Sequence, residues 1–254
     1  MYVACSTLCF GSRTLEDALA VISELKFNKF DMAIHEGGRQ LRPSEVVADL
    51  ARAAARLRHN PGLSPCAFSV EITATSDEDY TTQFKAVSRL ARLSMVPLLS
   101  IAAARTGSDR EAEAKRLKHL NELAEADGVL LTVDTRNGTL TEDPDTAVWL
   151  CERVPGLGLT LDPSHYHAGP HQAKGYDQVF PFVRHAHLRD TGRGANQFQV
   201  RVGQGEIEYG RIITLLERQD YNRALAVDVR DIPDAAFAME PEVRKLKYLL
   251  ESLV

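Results

Sequence analysis

The chain is poor in cysteine and in aromatic residues. Its four cysteines, Cys5, Cys9, Cys66 and Cys151, form no CxxC pair in 254 residues. They are too few to staple a chain of this size, so a disulfide framework is excluded and reduced, packed thiols are expected. No basic run of five or six residues occurs, and 30 Lys and Arg against 35 Asp and Glu leave a net charge of -5. A nucleic-acid partner is therefore not expected. Apolar runs fall far short of the roughly 18 residues that span a bilayer. The start, Met1-Tyr2-Val3-Ala4-Cys5-Ser6, has no basic segment ahead of a long apolar one. The expectation is a cytoplasmic protein without a membrane partner. No GxGxxG turn follows the first apolar run, which argues against a dinucleotide-binding open sheet.

What is present is alternation. Short β-rich runs at 2–6, 29–35, 66–73, 96–102, 128–134, 157–162, 184–190 and 224–229 alternate with helical patterns. Their starts lie 27 to 40 residues apart, the size of a βα unit. The helical segments carry apolar stripes. After Pro43 the stripe is Val46, Val47, Leu50, Ala51, Ala54 and Leu57; later ones are Ala114, Leu117, Leu120 and Ala124, then Val243, Leu246, Leu250 and Leu253. Eight such units predict one α/β unit over residues 1–254, a closed (β/α)8 barrel whose strand ends supply a polar mouth.

Successive strand residues point to opposite faces, so the polar ends can be sorted by face. Asp134 falls with Leu130 and Thr132, Asp162 with Gly158 and Thr160, His187 with His185 and Arg189, and Asp228 with Ala224 and Ala226. The opposite faces of the fifth, sixth and eighth strands are Val and Leu, which suit burial under helices. Four consecutive strands thus deliver Asp134, Asp162, His187 and Asp228 inward at the mouth. Three carboxylates there need a compensating cation, and with an imidazole they suit a divalent metal such as Mn²⁺, Mg²⁺, Co²⁺ or Zn²⁺. Five of the eight histidines, at 165, 167, 171, 185 and 187, cluster in this region. Polar rim residues in Asp–Arg pairs are the alternative to a metal site.

The segments Leu161-Asp162-Pro163-Ser164-His165, His185-Ala186-His187-Leu188-Arg189-Asp190, Gly203-Gln204-Gly205-Glu206-Ile207 and Ala226-Val227-Asp228-Val229-Arg230, with the opening Cys5-Ser6-Thr7-Leu8-Cys9-Phe10, carry a resemblance. Together they resemble the xylose isomerase-like TIM barrels, which include sugar isomerases and epimerases and endonuclease IV-type repair enzymes. In the sugar epimerase branch the resemblance implies a Glu, Asp, His, Glu metal quartet, which falls on Asp134, Asp162, His187 and Asp228. Both glutamates are aspartate here, which withdraws each carboxylate by roughly 1.5 Å, one C–C bond. The extra histidines of a three-zinc repair site are missing, since the third and fourth strands end in Glu71-Ile72-Thr73 and Ile101-Ala102-Ala103.

The resemblance implies a metal-dependent sugar or sugar phosphate isomerase or epimerase. Asp134 and Asp228, on strands roughly across the barrel, would move a proton α to a carbonyl through an enediolate. It also implies substrate contacts from His165 and Arg201; alternation adds His35, pointing inward at the end of the second strand. A non-catalytic carbohydrate- or metabolite-binding barrel and a dehydratase on the same scaffold are the alternatives. The oligomeric state is left open.

Overall fold

The computed structural model describes residues 1–58, 62–232 and 237–254. Eight parallel strands close into a barrel in sequence order: β1 (Tyr2–Ser6), β2 (Lys29–His35), β3 (Ser64–Glu71), β4 (Leu98–Ile101), β5 (Leu130–Asp134), β6 (Gly158–Leu161), β7 (Val183–Leu188) and β8 (Ala224–Val227). Closure is made by β1 on β8, with Tyr2 opposite Ala224 and Cys5 opposite Val227. The (β/α)8 barrel expected from the alternation is the observed fold.

Helices connect the strands and cover their outward faces. Leu15–Glu24, Asp77–Leu93 and Arg110–Ala126 begin at Thr14, Ser76 and Asp109, whose side chains accept backbone N–H bonds from the first turn. Leu131, Val133, Leu159, Leu161, Leu225 and Val227 are fully buried beneath this layer. Each such side chain contributes about 1.5–3 kcal/mol relative to exposure. Ala114, Leu117, Leu120 and Ala124 form the buried stripe expected of the fourth helical segment.

Several boundaries shift for local reasons. The fifth strand begins at Leu130 rather than 128, because Gly128 (φ 74°) caps the preceding helix in a left-handed turn, its N–H bonded to Glu125 O. The sixth ends at Leu161 because Pro163 opens a short helix, Pro163–Ala168, with Asp162 as its N-cap. The single stripe expected after Pro43 is two helices, Pro43–Ala48 and Leu50–Arg58, separated by an extended Asp49 whose Oδ1 accepts from Arg52 N. The break changes the register: Val47 is exposed and Ala53 is buried. Leu253 lies beyond the last helix, Met239–Glu251, and is also exposed.

The barrel interior is polar. Ser100 Oγ lies 2.7 Å from Thr160 Oγ1, and Thr132 Oγ1 pairs with Thr160 Oγ1 at 2.8 Å and donates to Leu99 O. The four cysteines are free and buried, and burial pushes the Cys151 thiol up to about 12. Among the described residues no helix is long and apolar enough to cross a membrane.

Candidate functional site

Asp134 closes β5 and is half-buried; Asp162 follows β6, His187 lies in β7 and Asp228 follows β8. One oxygen of Asp134 accepts from the Ser100 hydroxyl, and its other oxygen accepts no hydrogen bond among the described residues. Asp162 Oδ1 accepts from Ser164 N at 3.1 Å and Ser164 Oγ at 2.5 Å. Its Oδ2 accepts from Arg189 Nη2 at 2.6 Å. Arg189 Nη1 donates to Asp228 Oδ2 at 3.5 Å, and Arg230 Nε donates to the same oxygen at 2.9 Å. Arg189, Asp162 and Asp228 are all buried.

The residues of the expected metal quartet have close protein partners. Asp162 Oδ2 and Asp228 Oδ2 accept guanidinium N–H groups, whereas Asp228 Oδ1 is buried with no hydrogen-bond partner among the described residues. His187 Nε2 turns instead to Asp31 Oδ2 at 2.5 Å. Arg189 and Arg230 bring positive charge to the buried carboxylates. A divalent cation on Asp162 Oδ2 or Asp228 Oδ2 would have to displace these bonds and sit against two positive charges.

A different group could hold a metal ion. Asp31, His185 and His187 are buried, and one ligand atom from each lies within 4.8 Å of the others. Asp31 Oδ2 faces His185 Nε2 at 2.8 Å as well as His187, and Asp31 Oδ1 has no partner among the described residues. The two imidazoles stand edge to face, 4.9 Å between centroids. The donor set of one carboxylate and two imidazoles suits a first-row divalent metal, and nothing in it selects which.

The protonation states follow from these neighbours. Burial opposes charge on His187, but the carboxylates of Asp228 and Asp31 outweigh it and lift the imidazole to about 9. Burial would raise Asp162; Arg189, His165 and Arg230 hold it well below the usual carboxylate range. Asp228 is lowered against burial by Arg230, His187 and Arg189. His165 is pushed down to about 4 by burial, with Arg189, Arg230 and Arg136 adding to the effect against Asp162.

The residues expected to contact substrate divide. His165 is at the mouth: Asn137 N–H donates to its Nδ1 at 3.2 Å, its Nε2 is 3.1 Å from Arg189 Nη2, and its ring lies 4.9 Å from that of Phe198. His35 ends β2 and sits 3.5 Å from Glu71 Oε2; burial lowers its pKa, with Glu71 opposing. Arg201 pairs with a carboxylate of the last helix. Its Nε and Nη2 both donate to Glu242 Oε1 of the last helix at 3.2 Å, so its guanidinium is committed to that carboxylate.

Sequence reasoning missed Asp31, Ser100 and Arg230, and gave Arg189 a face but no role. The signal was available for three of them. Asp31 shares the inward face of β2 with His35, Arg189 lies two residues beyond His187, and Arg230 lies two beyond Asp228, so each falls beside a residue already assigned inward.

A wide cleft of about 440 Å³ opens beside the mouth, lined by Glu71, Tyr80, Arg105, Arg116 and Arg136 among others. Arg136 Nη2 lies 3.9 Å from Glu71 Oε1, and Arg116 is bound bidentately by Glu113.

The sequence signature described as the xylose isomerase-like TIM barrel matches residues 19–249. No curated protein matches the chain significantly. Among solved structures, an L-ribulose 3-epimerase superposes with a TM-score of 0.72 at 17% identity, covering 100% of this chain and 96% of that one. A xylose isomerase-like TIM barrel protein from Mycobacterium smegmatis, in complex with magnesium, gives 0.75 at 17% identity over 100% and 98%. A probable 3-DHS dehydratase from Bacillus anthracis gives 0.74 at 15% identity over 99% of both chains. At such identities these likenesses speak to the fold.

Proposed function

Because the chain belongs to the xylose isomerase-like TIM barrel family, we propose that it is a carbohydrate isomerase or epimerase that moves a proton on the carbon beside a carbonyl. The observation that carries this reading is Asp134. It stands at the C-terminal mouth of a barrel, where such enzymes place their chemistry, with one oxygen anchored by Ser100 and the other open. An anchored carboxylate with a free oxygen is the arrangement a general base needs.

Asp228 is held differently. Its Oδ2 accepts from Arg189 and Arg230, and its Oδ1 is buried. Removal of the proton by Asp134 and its return on the same face to the neighbouring carbon, with the hydroxyl proton passing between the two oxygens, yields aldose–ketose isomerisation. Inversion at carbon needs a second group on the opposite face, which requires Asp228 to leave its guanidinium partners. The geometry therefore favours isomerisation within the pair. His165 and His35 lie where they would contact the hydroxyls of a small sugar or sugar phosphate.

The experiment is incubation in D₂O with a panel of aldoses, ketoses and their phosphates, followed by NMR. Substrate-dependent deuterium at the carbon next to the carbonyl, lost in Asp134→Asn, is the expected result; no exchange with any member rejects the reading. A carbohydrate-binding barrel without turnover is favoured by the ion-paired state of Asp162 and Asp228, and binding without exchange would identify it. Loss of water from the sugar would instead identify a dehydratase.

A further inference from the structure

We propose that the guanidiniums of Arg189 and Arg230 occupy the functional place of a divalent ion at this mouth, and that Arg230 binds the vicinal oxygens of the ligand directly. The identity of the ligand as a carbohydrate rests on the function proposed above; the displacement of the ion does not.

Three features carry the inference. Each guanidinium nitrogen of Arg189 donates within the protein: Nη2 to Asp162 and Ser164, Nη1 to Asp228, Nε to Ser164 and the Phe198 carbonyl. It is a fixed structural cation. Arg230 spends only Nε, on Asp228, and its Nη1 and Nη2 donate no hydrogen bond among the described residues. Its side chain is 30% exposed, whereas Arg189 is 4% exposed. Arg189 is therefore held among the carboxylates, while Arg230 keeps a planar pair of Nη groups without a partner among the described residues, and the Asp134 carboxylate acts on it electrostatically.

A guanidinium fork matches two adjacent oxygens bidentately, and a metal ion would chelate the same pair of oxygens on a ketose or its enediolate. Negative charge developing on those oxygens would meet a preoriented cation in a partly water-excluded site. An ion here would meet two guanidiniums already bonded to Asp162 Oδ2 and Asp228 Oδ2 and would be repelled by them.

The test uses the full chain, dialysed against EDTA, and two probes. The first is MnCl₂ alone, followed by isothermal titration and thermal shift. Absence of binding below 1 mM supports the proposal. So does binding that is abolished in His185→Gln but unchanged in Asp134→Asn, because that ion lies deeper, on Asp31, His185 and His187. Binding abolished in Asp134→Asn overturns it. The second probe is oxalate, a planar anion with two adjacent oxygen-bearing carbons. Expected is metal-free binding that weakens at least tenfold in Arg230→Gln and by less in Arg230→Lys, which keeps the charge but not the fork. Oxalate that binds only with added Mn²⁺, binds unchanged in Arg230→Gln, or fails to bind at all overturns the assignment of Arg230. Circular dichroism checks that each variant folds. Failure of every sugar in the D₂O assay with these binding results intact would reject the isomerase reading alone.

Discussion

Arg189 reaches from the end of β7 to the end of β6 and places its Nη2 2.6 Å from Asp162 Oδ2, both side chains almost wholly out of water. A buried pair of this kind is costly to break from one side, because the survivor remains charged and without its partner.

Arg189→Met is accordingly expected to destabilise the fold by about 3–5 kcal/mol. Urea denaturation followed by circular dichroism measures it. A loss below about 1 kcal/mol would show that the carboxylates find other compensation in solution.

Asp134→Asn should behave in the opposite way. The side chain is half-buried with one free oxygen, so stability should change by roughly 1 kcal/mol or less, while proton exchange falls by about 10²–10⁴-fold. Equal loss of folding and activity would indicate a structural role for the carboxylate instead.

Stability should fall on the acid side through Asp162 and His165. Both have folded pKa values below their unfolded ones, so each contributes stability that is present above its unfolded pKa and lost as pH falls through the folded value. For His165 the window runs from about 6.5 down to about 4; Asp162 acts from about 3.9 downward. A Tm profile from pH 7 to pH 3 checks this, and His165→Gln should flatten its upper part.

His187 has the reverse sign. Its folded pKa is raised to about 9, so its contribution is complete below the unfolded value near 6.5 and is lost as pH rises through about 9. Tm should decline between pH 7 and 9.5 in the native chain, and that decline should be smaller in His187→Gln.

Arg201→Ala should leave ligand binding within about twofold, because the guanidinium is directed at Glu242 and not at the mouth. Its half-exposed position limits the stability cost to about 1 kcal/mol. A tenfold loss of ligand affinity with unchanged Tm would return Arg201 to the site.

Much of this molecule was legible before any coordinates. Period-2 alternation identified the barrel strands and the inward-facing Asp134, Asp162, His187 and Asp228, because side-chain direction along a strand is a local property. Helix starts and the Gly128 cap are equally local in origin, although the cap moved a strand boundary by two residues. Arg201 shows the limit: lying close in sequence to the Gly203–Gly205 turn says nothing of the Glu242 carboxylate some 40 residues on, which claims its guanidinium.

The sequence by itself determined the repeating βα pattern, the inward face of each strand and the need for positive charge beside three inward aspartates. Only the tertiary structure decided what meets that need. Barrel closure brings Asp31 of β2 against His185 and His187 of β7, and brings Arg189 between carboxylates that follow β6 and β8. Contacts across a barrel depend on closure and on the reach of long side chains, and neither is encoded in the spacing of residues along one strand.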